Sequence, residues 1–170
     1  MSNFKKDIAK KLLKRHKQIS KSEKLLPFAS CRKIGLVYDT EVVNPVYLNK
    51  MFHYFESEGK KVTTLGFVNN KELGDYLPNY KEEYFCKKDL NFWQIPKKRA
   101  VSKFINTEFD YLINLDVLGN VQLQAISTFS KARTRIGKHL DEFPFSQDFM
   151  IKGLAETGQE LFREITKYIK

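Results

Sequence analysis

The stretch Phe109-Asp-Tyr-Leu-Ile-Asn-Leu-Asp116 constrains the fold of this chain more than any other. A short run of Leu, Ile and aromatic residues, ending in a carboxylate and followed by Val-Leu-Gly-Asn120, reads as a buried parallel strand that hands over to a helix. The helical run extends to Ser130, and Thr134 to Gly137, within Arg133-Thr-Arg-Ile-Gly137, reads as the next strand, which makes a β-α-β unit. Lys33–Asp39 and Lys61–Val68 have the same strand character. Between them Asn44 caps a helix, Pro45 takes its first turn and Gly59 ends it; Val46 or Tyr47, with Leu48, Met51, Phe52 and Phe55, forms its buried side. The region from Lys71 to Pro96 is less regular: a short helix at Glu72–Leu77, a short strand at Tyr84–Cys86, and an aromatic loop or strand from Leu90 to Ile95 containing Trp93. A helix from Ala100 to Asn106, a last strand at Asp148–Lys152 and an amphipathic helix from Leu154 to Ile169 complete the pattern. Strands alternating with helices at this spacing predict an α/β fold: a three-layer, mostly parallel, Rossmann-like sheet with helices on both faces.

A basic helix precedes this body. From Asn3 to about Ile19, Phe4, Ile8 and Leu12 with Leu13 form an apolar stripe at helical spacing, while Lys6, Lys10, Lys14 and Lys17 line another side. Residues 1–24 hold nine cations, Lys5, Lys6, Lys10, Lys11, Lys14, Arg15, Lys17, Lys21 and Lys24, against Asp7 and Glu23. The whole chain is +10, so the N-terminal segment carries most of the excess, and an anionic partner should meet that end first. Three readings of this helix stand side by side: a solvated face on a helix docked by its stripe, an RNA or ribosome contact, and an anionic membrane surface. The division expected is a basic helix and linker over 1–26 and a single α/β domain over 27–170, with Ser20 to Pro27 as the linker.

At 170 residues the domain can bury about two-thirds of its unfolded surface without disulfides. Cys31 and Cys86 form no C-x-x-C pair and fit buried, reduced thiols. No apolar run approaches the roughly 18 residues of a membrane span, and the N-terminus is charged where a secretory signal would be apolar, so the expected location is the cytoplasm.

Two further basic clusters lie in the body. Lys97-Lys98-Arg99 opens a helix, where positive charge opposes the macrodipole; a phosphate held between those side chains and the helix N–H groups would account for it, as would a tolerated surface cluster. Alternation puts Arg133 and Arg135 on one side of their strand, an odd choice in a sheet covered by helices, which nominates both for phosphate or carboxylate contact. Asp39 and Asp116 end strands, where ligands of such sheets bind, and with Asn120 they mark a possible ligand crevice; both aspartates serve equally well as turn formers or caps. The aromatic stretch around Trp93 is either a stacking platform for bases or a lid over the core. There is no G-x-x-x-x-G-K-[ST] loop, no G-x-G-x-x-G after the first strand, no G-x-S-x-G elbow, no H-E-x-x-H pair and no Cys/His cluster, and His53 has no second ligand at i+4. No catalytic residue, metal site or cofactor is nominated.

The strand Phe109–Asp116, the Gly119-Asn120 pair, the helix through Ala125 to Ala132 and Arg133-Thr-Arg-Ile-Gly137 resemble the last third of the N-terminal domain of bacterial lipopolysaccharide heptosyltransferases, where a strand of the type YDLVIDL is followed by a helix and RIG. Asp39-Thr-Glu-Val-Val-Asn-Pro45 is similar to the GD loop and following proline of those enzymes. The resemblance implies a Rossmann-like fold and a sugar-nucleotide crevice. Tyr38 stands where those enzymes have the glycine before the loop aspartate, so no general-base role carries over to Asp39. The family closes a second Rossmann-like domain over its substrate, and the expectation for a chain of this length is binding without sugar transfer. As a whole the chain is also similar to small basic proteins of Bacteroidota grouped as a domain of unknown function.

The first functional expectation is therefore a non-catalytic protein that contacts RNA, such as that of the ribosome, through the basic helix and the arginine pair. The alternatives are a binder or enzyme for a nucleotide sugar or phosphometabolite at the Asp39/Asp116 crevice, and a peripheral membrane module or one that docks an acidic protein.

Overall fold

The structure, a computed structural model, describes residues 2–16 and 25–169. Six strands, β1 (Lys33–Asp39), β2 (Lys61–Val68), β3 (Glu82–Cys86), β4 (Tyr111–Asn114), β5 (Thr134–Lys138) and β6 (Phe149–Ile151), form one sheet. Their order is β3-β2-β1-β4-β5-β6 and every neighbouring pair is parallel. This is the doubly wound Rossmann order, which puts the topological switch between β1 and β4. The described residues also form five α-helices, α1 (Asn3–Arg15), α2 (Pro45–Ser57), α3 (Ser102–Asn106), α4 (Val121–Phe129) and α5 (Gly158–Ile169), and three 3-10 turns at Phe28–Ser30, Lys87–Asp89 and Lys98–Ala100.

Strand alternation sorts the core into two layers. Ile34, Leu36 and Tyr38 of β1 pack with α2 and α5, whereas Val37 faces the opposite layer, with α1, α3 and α4. Gly35 shares that second side because Phe109 lies flat against it: a Cβ there would stand 2.9 Å from the ring. The sheet is thus covered on both faces, and its carboxyl end is left to the loops that follow the strands.

Local chemistry explains where elements begin and end. Asn44 accepts from the Val46 N–H at 2.8 Å, Pro45 follows, and α2 stops ahead of Gly59. The helix expected at Glu72–Leu77 does not form; Gly74 takes a φ of +58°, which interrupts a right-handed helix, and the segment runs as turns and bends. The last helix starts at Gly158, not Leu154, because Thr157 and Glu160 cap each other: the Glu160 N–H donates to Thr157 Oγ1 at 3.2 Å and the Thr157 N–H to Glu160 Oε2 at 3.3 Å. Leu154, expected inside the helix, is left outside it and in solvent.

The N-terminal helix is docked. Ala9 and Leu13 are fully buried in the cluster that holds Val101, Phe104 and the inner side of α4. The apolar stripe is rotated from the expected one: Ile8 and Leu12 are half-buried, and Phe4 is 69% exposed. The small side chain of Ala9 permits close approach to α4, which a Phe4-centred face would prevent. Of the expected linker, residues 20–24 lie outside the described residues; Leu25 and Leu26 pack on the α2/α5 layer, and Tyr111 donates its hydroxyl hydrogen to the Leu26 carbonyl. Cys31 and Cys86 are both buried and free, and burial raises the pKa of the Cys31 thiol. Among the described residues no helix is long and apolar enough to cross a membrane.

Candidate nucleic-acid interface

The β4–α4 turn is built on Asp116. This carboxylate is buried, and it accepts hydrogen bonds from the N–H groups of Leu118 (2.9 Å), Gly119 (3.1 Å) and Asn120 (2.7 Å) and from Gln124 Nε2 (2.6 Å). Beneath it the network continues: Ser146 Oγ donates to Gln124 Oε1 at 2.6 Å, and Asn114 Nδ2 donates to Ser127 Oγ at 2.9 Å and to the Leu123 carbonyl at 3.0 Å. Burial outweighs these bonds and raises the Asp116 pKa. The result is a rigid turn whose carboxylate is spent on the turn itself.

Asp39, Asp116 and Asn120, nominated as a ligand crevice, do come together, but around a seam of about 10 Å³ closed by Val42, Leu115, Leu118 and Leu123. That is room for one water, not for a sugar nucleotide. Asp39 Oδ1 accepts from the Glu41 N–H at 2.9 Å, and burial raises its pKa as well. Both aspartates act here as turn formers, and among the described residues no group of three or more His, Cys, Asp or Glu is placed to hold a metal ion.

The open space lies beside that seam. A groove of about 810 Å³ at the carboxyl edge of the sheet is lined by the start of α1 (Ser2, Asn3, Lys5, Lys6), by Asn69 after β2, by Lys87 after β3, by Gln94, and by the start of α4 from Leu118 to Gln122. Lys5 and Lys87 share this concavity with two helix N-termini, an arrangement that attracts anions, while the third lysine, Lys6, is paired with Glu142.

From this groove a basic face runs along α1. Lys5 Nζ sits 4.1 Å from the centre of the Phe92 ring, so α1 lies against the 90–96 loop at one end. At its other end His16 packs edge-on to Phe129 at 5.9 Å, and Lys98 Nζ lies 4.7 Å from the same ring. Lys87, Lys88, Lys97, Lys98 and Arg99 are exposed, as are Lys11, Lys14 and Arg15. Lys97 Nζ donates to the Lys88 carbonyl at 3.0 Å, which fixes one cation beside another.

Not every nominated cation is available. Lys6 pairs with Glu142, and Lys10 pairs with Asp7 at 2.7 Å and lies 3.8 Å from Glu142. The Asp7 pair raises the Lys10 pKa, and Lys10 lowers that of Asp7. Lys17, like Lys21 and Lys24, lies outside the described residues. Arg133 is exposed at the amino-terminal edge of the sheet, its N–H donating to the Phe109 carbonyl, away from the groove. Arg135 must be withdrawn as a phosphate contact. It is 1% exposed and grips Asp148, Nε to Oδ2 at 2.7 Å and Nη2 to Oδ1 at 2.5 Å. Sequence reading passed over Lys87, Lys88 and Asn69, and took Phe92 and Gln94 only as part of the aromatic stretch around Trp93. Lys87-Lys88 carried a signal, since a Lys pair directly after a strand must sit at the ligand-binding edge of a parallel sheet.

Over residues 2–170 the chain matches a family model described as a family of unknown function (DUF6913), and it belongs to that family. No curated protein matches it.

Proposed function

We propose that this member of the DUF6913 family binds RNA without catalysing a reaction on it, along the face where α1 meets the 87–99 segment. The observation that carries the reading is the merging of two basic segments more than 70 residues apart in sequence: Lys5 rests on Phe92, and His16 and Lys98 share Phe129. Each segment alone is a modest cluster; together they present Lys5, Lys11, Lys14, Arg15, Lys87, Lys88, Lys97, Lys98 and Arg99 to one partner. Exposed cations on both segments, together with the exposed rings of Phe4 and Phe92, suit a phosphate backbone with accessible bases. The arginine pair plays no part in this version of the interface, and Arg133 stands apart from it.

Filter binding to ribosomal RNA and to purified ribosomal subunits at rising salt tests the proposal. Affinity should fall steeply between 50 and 200 mM salt, by roughly 300-fold if six phosphates of a single strand are engaged. Weak binding that ignores salt rules the reading out.

A second reading is favoured by the groove itself. Its volume falls within the range of about 300–1,000 Å³ typical of small-ligand sites, and it lies at the edge where Rossmann-like sheets bind nucleotides. A nucleotide sugar or phosphorylated metabolite held by Lys5 and Lys87, in keeping with the resemblance of residues 109–137 to heptosyltransferases, would raise the melting temperature in a thermal-shift screen. Lys87→Glu would abolish that rise. Absence of any stabilisation by nucleotides leaves the RNA reading alone.

A further inference from the structure

Phe92 stands at the tip of a loop that the chain holds in one shape. Asn91 Oδ1 accepts from the N–H groups of Trp93 at 2.9 Å and Ile95 at 3.1 Å, and the Asn91 N–H donates to the Ile95 carbonyl at 2.9 Å. Leu90 and Pro96 close the loop as an antiparallel bridge, and Gln94 takes a φ of 63°, in the left-handed region that side chains other than glycine seldom adopt. Trp93 turns inward and packs on the α3/α4 layer, its ring 4.9 Å from that of Phe92 with the planes at 80°. Phe92 is carried outward in consequence and is 66% exposed, where a phenylalanine is ordinarily inside.

The surroundings of this ring are cationic. Lys5 Nζ lies 4.1 Å from its centre, and Lys5, Lys87 and Gln94 line the adjoining groove. The neighbouring acid, Asp89, is occupied in accepting the Cys86 N–H at 2.9 Å.

We infer that Phe92 is a stacking site for one unpaired RNA base, with Lys5 and Lys87 taking the phosphates that flank it, so that the chain prefers single-stranded RNA to duplex. This rests on the RNA reading above and adds the class of RNA. In a duplex each base face is covered by its neighbours and only edges and backbone are presented, so a protruding ring gains nothing there; in a single strand every base offers a π-face. The fixed loop means that little ordering is lost when the base arrives. Lys5 is the exchangeable part: its ammonium covers the ring in the free protein and has only to swing into the groove to meet a phosphate.

The test compares a labelled unstructured 12-nucleotide oligouridine RNA with a 12-base-pair RNA duplex by fluorescence anisotropy at fixed salt. The wild type should bind the single strand more tightly, and Phe92→Ala should weaken single-strand binding about tenfold while leaving duplex binding unchanged. Phe92→Tyr should retain the preference, and single strand should perturb Trp93 emission in the wild type. Phe92 is exposed, so its replacement leaves the core intact; a far-UV spectrum and melting curve identical to wild type verify this. Equal binding of both RNAs by the wild type, or full single-strand affinity in Phe92→Ala, overturns the stacking site while leaving the basic face in place. Failure of the wild type to bind either RNA overturns both.

Discussion

At the scale of single residues, Asp116 and Arg135 show what sequence could and could not reveal. Asp116 was marked by its position at a strand end, and the structure gives the reason for a carboxylate there: its oxygens accept three backbone N–H groups of its own turn together with Gln124. Asp116→Ala leaves those donors buried without an acceptor and should cost about 3 kcal/mol in a urea melt. The pH dependence has a definite sign. A carboxyl whose pKa is raised on folding holds more protons in the native than in the unfolded state, so its contribution is lost as pH rises from the ordinary carboxylate range through the folded value. The stability of the wild type relative to Asp116→Asn should therefore decline with rising pH across that window, as read from urea melts in matched buffers. Arg135 taught the opposite lesson. The strand register places it on the side shared with Leu112 of β4, but its partner is Asp148, whose side chain is 13% exposed, across the β5–β6 connection, and no local pattern announces such a pair. Arg135→Ala strands Asp148 and should cost about 3–5 kcal/mol of stability, whereas a phosphate-binding arginine would have cost affinity at unchanged stability.

At the scale of elements, period was easier to read than phase. The limits of β1 and β2 follow directly from their apolar runs, and the cap, proline and glycine of α2 mark its ends. In α1 the helical repeat is equally plain, yet the buried side centres on Ala9 and Leu13 instead of including Phe4. Hydrophobicity alone favours the phenylalanine; the choice is made by the narrow slot beside α4, which only the folded body defines. Because α1 seals part of the core, removing it would uncover Val101 and Phe104 as well as take away its share of the basic face, and a truncation would confuse folding with binding. Leu13→Ala separates the two: it should cost about 2–5 kcal/mol in denaturant unfolding and hasten proteolysis within α1, while retaining every lysine of the helix.

At the scale of the whole molecule, the sequence located the charge but not the surface it makes. Clusters at the N-terminus and at Lys97-Lys98-Arg99 looked independent, because the β3–β4 crossover that lays the second beside the first is a tertiary fact. If one RNA strand spans the merged face, charge reversal at either cluster must act through the same counterion release. Lys11→Glu with Lys14→Glu should reduce the magnitude of the slope of log affinity against log salt by about 1.4, and Lys97→Glu with Lys98→Glu by a similar amount, since each single-strand phosphate contact contributes about 0.7. The quadruple variant should lose both increments. Lys50→Glu with Lys167→Glu, on the α2/α5 side of the sheet, makes an equal change in net charge at exposed positions and should leave the slope near the wild-type value. A slope that follows net charge wherever it is altered would show a diffuse electrostatic attraction with no interface; a slope moved only by the α1 pair would confine the contact to the helix and separate it from the 87–99 segment.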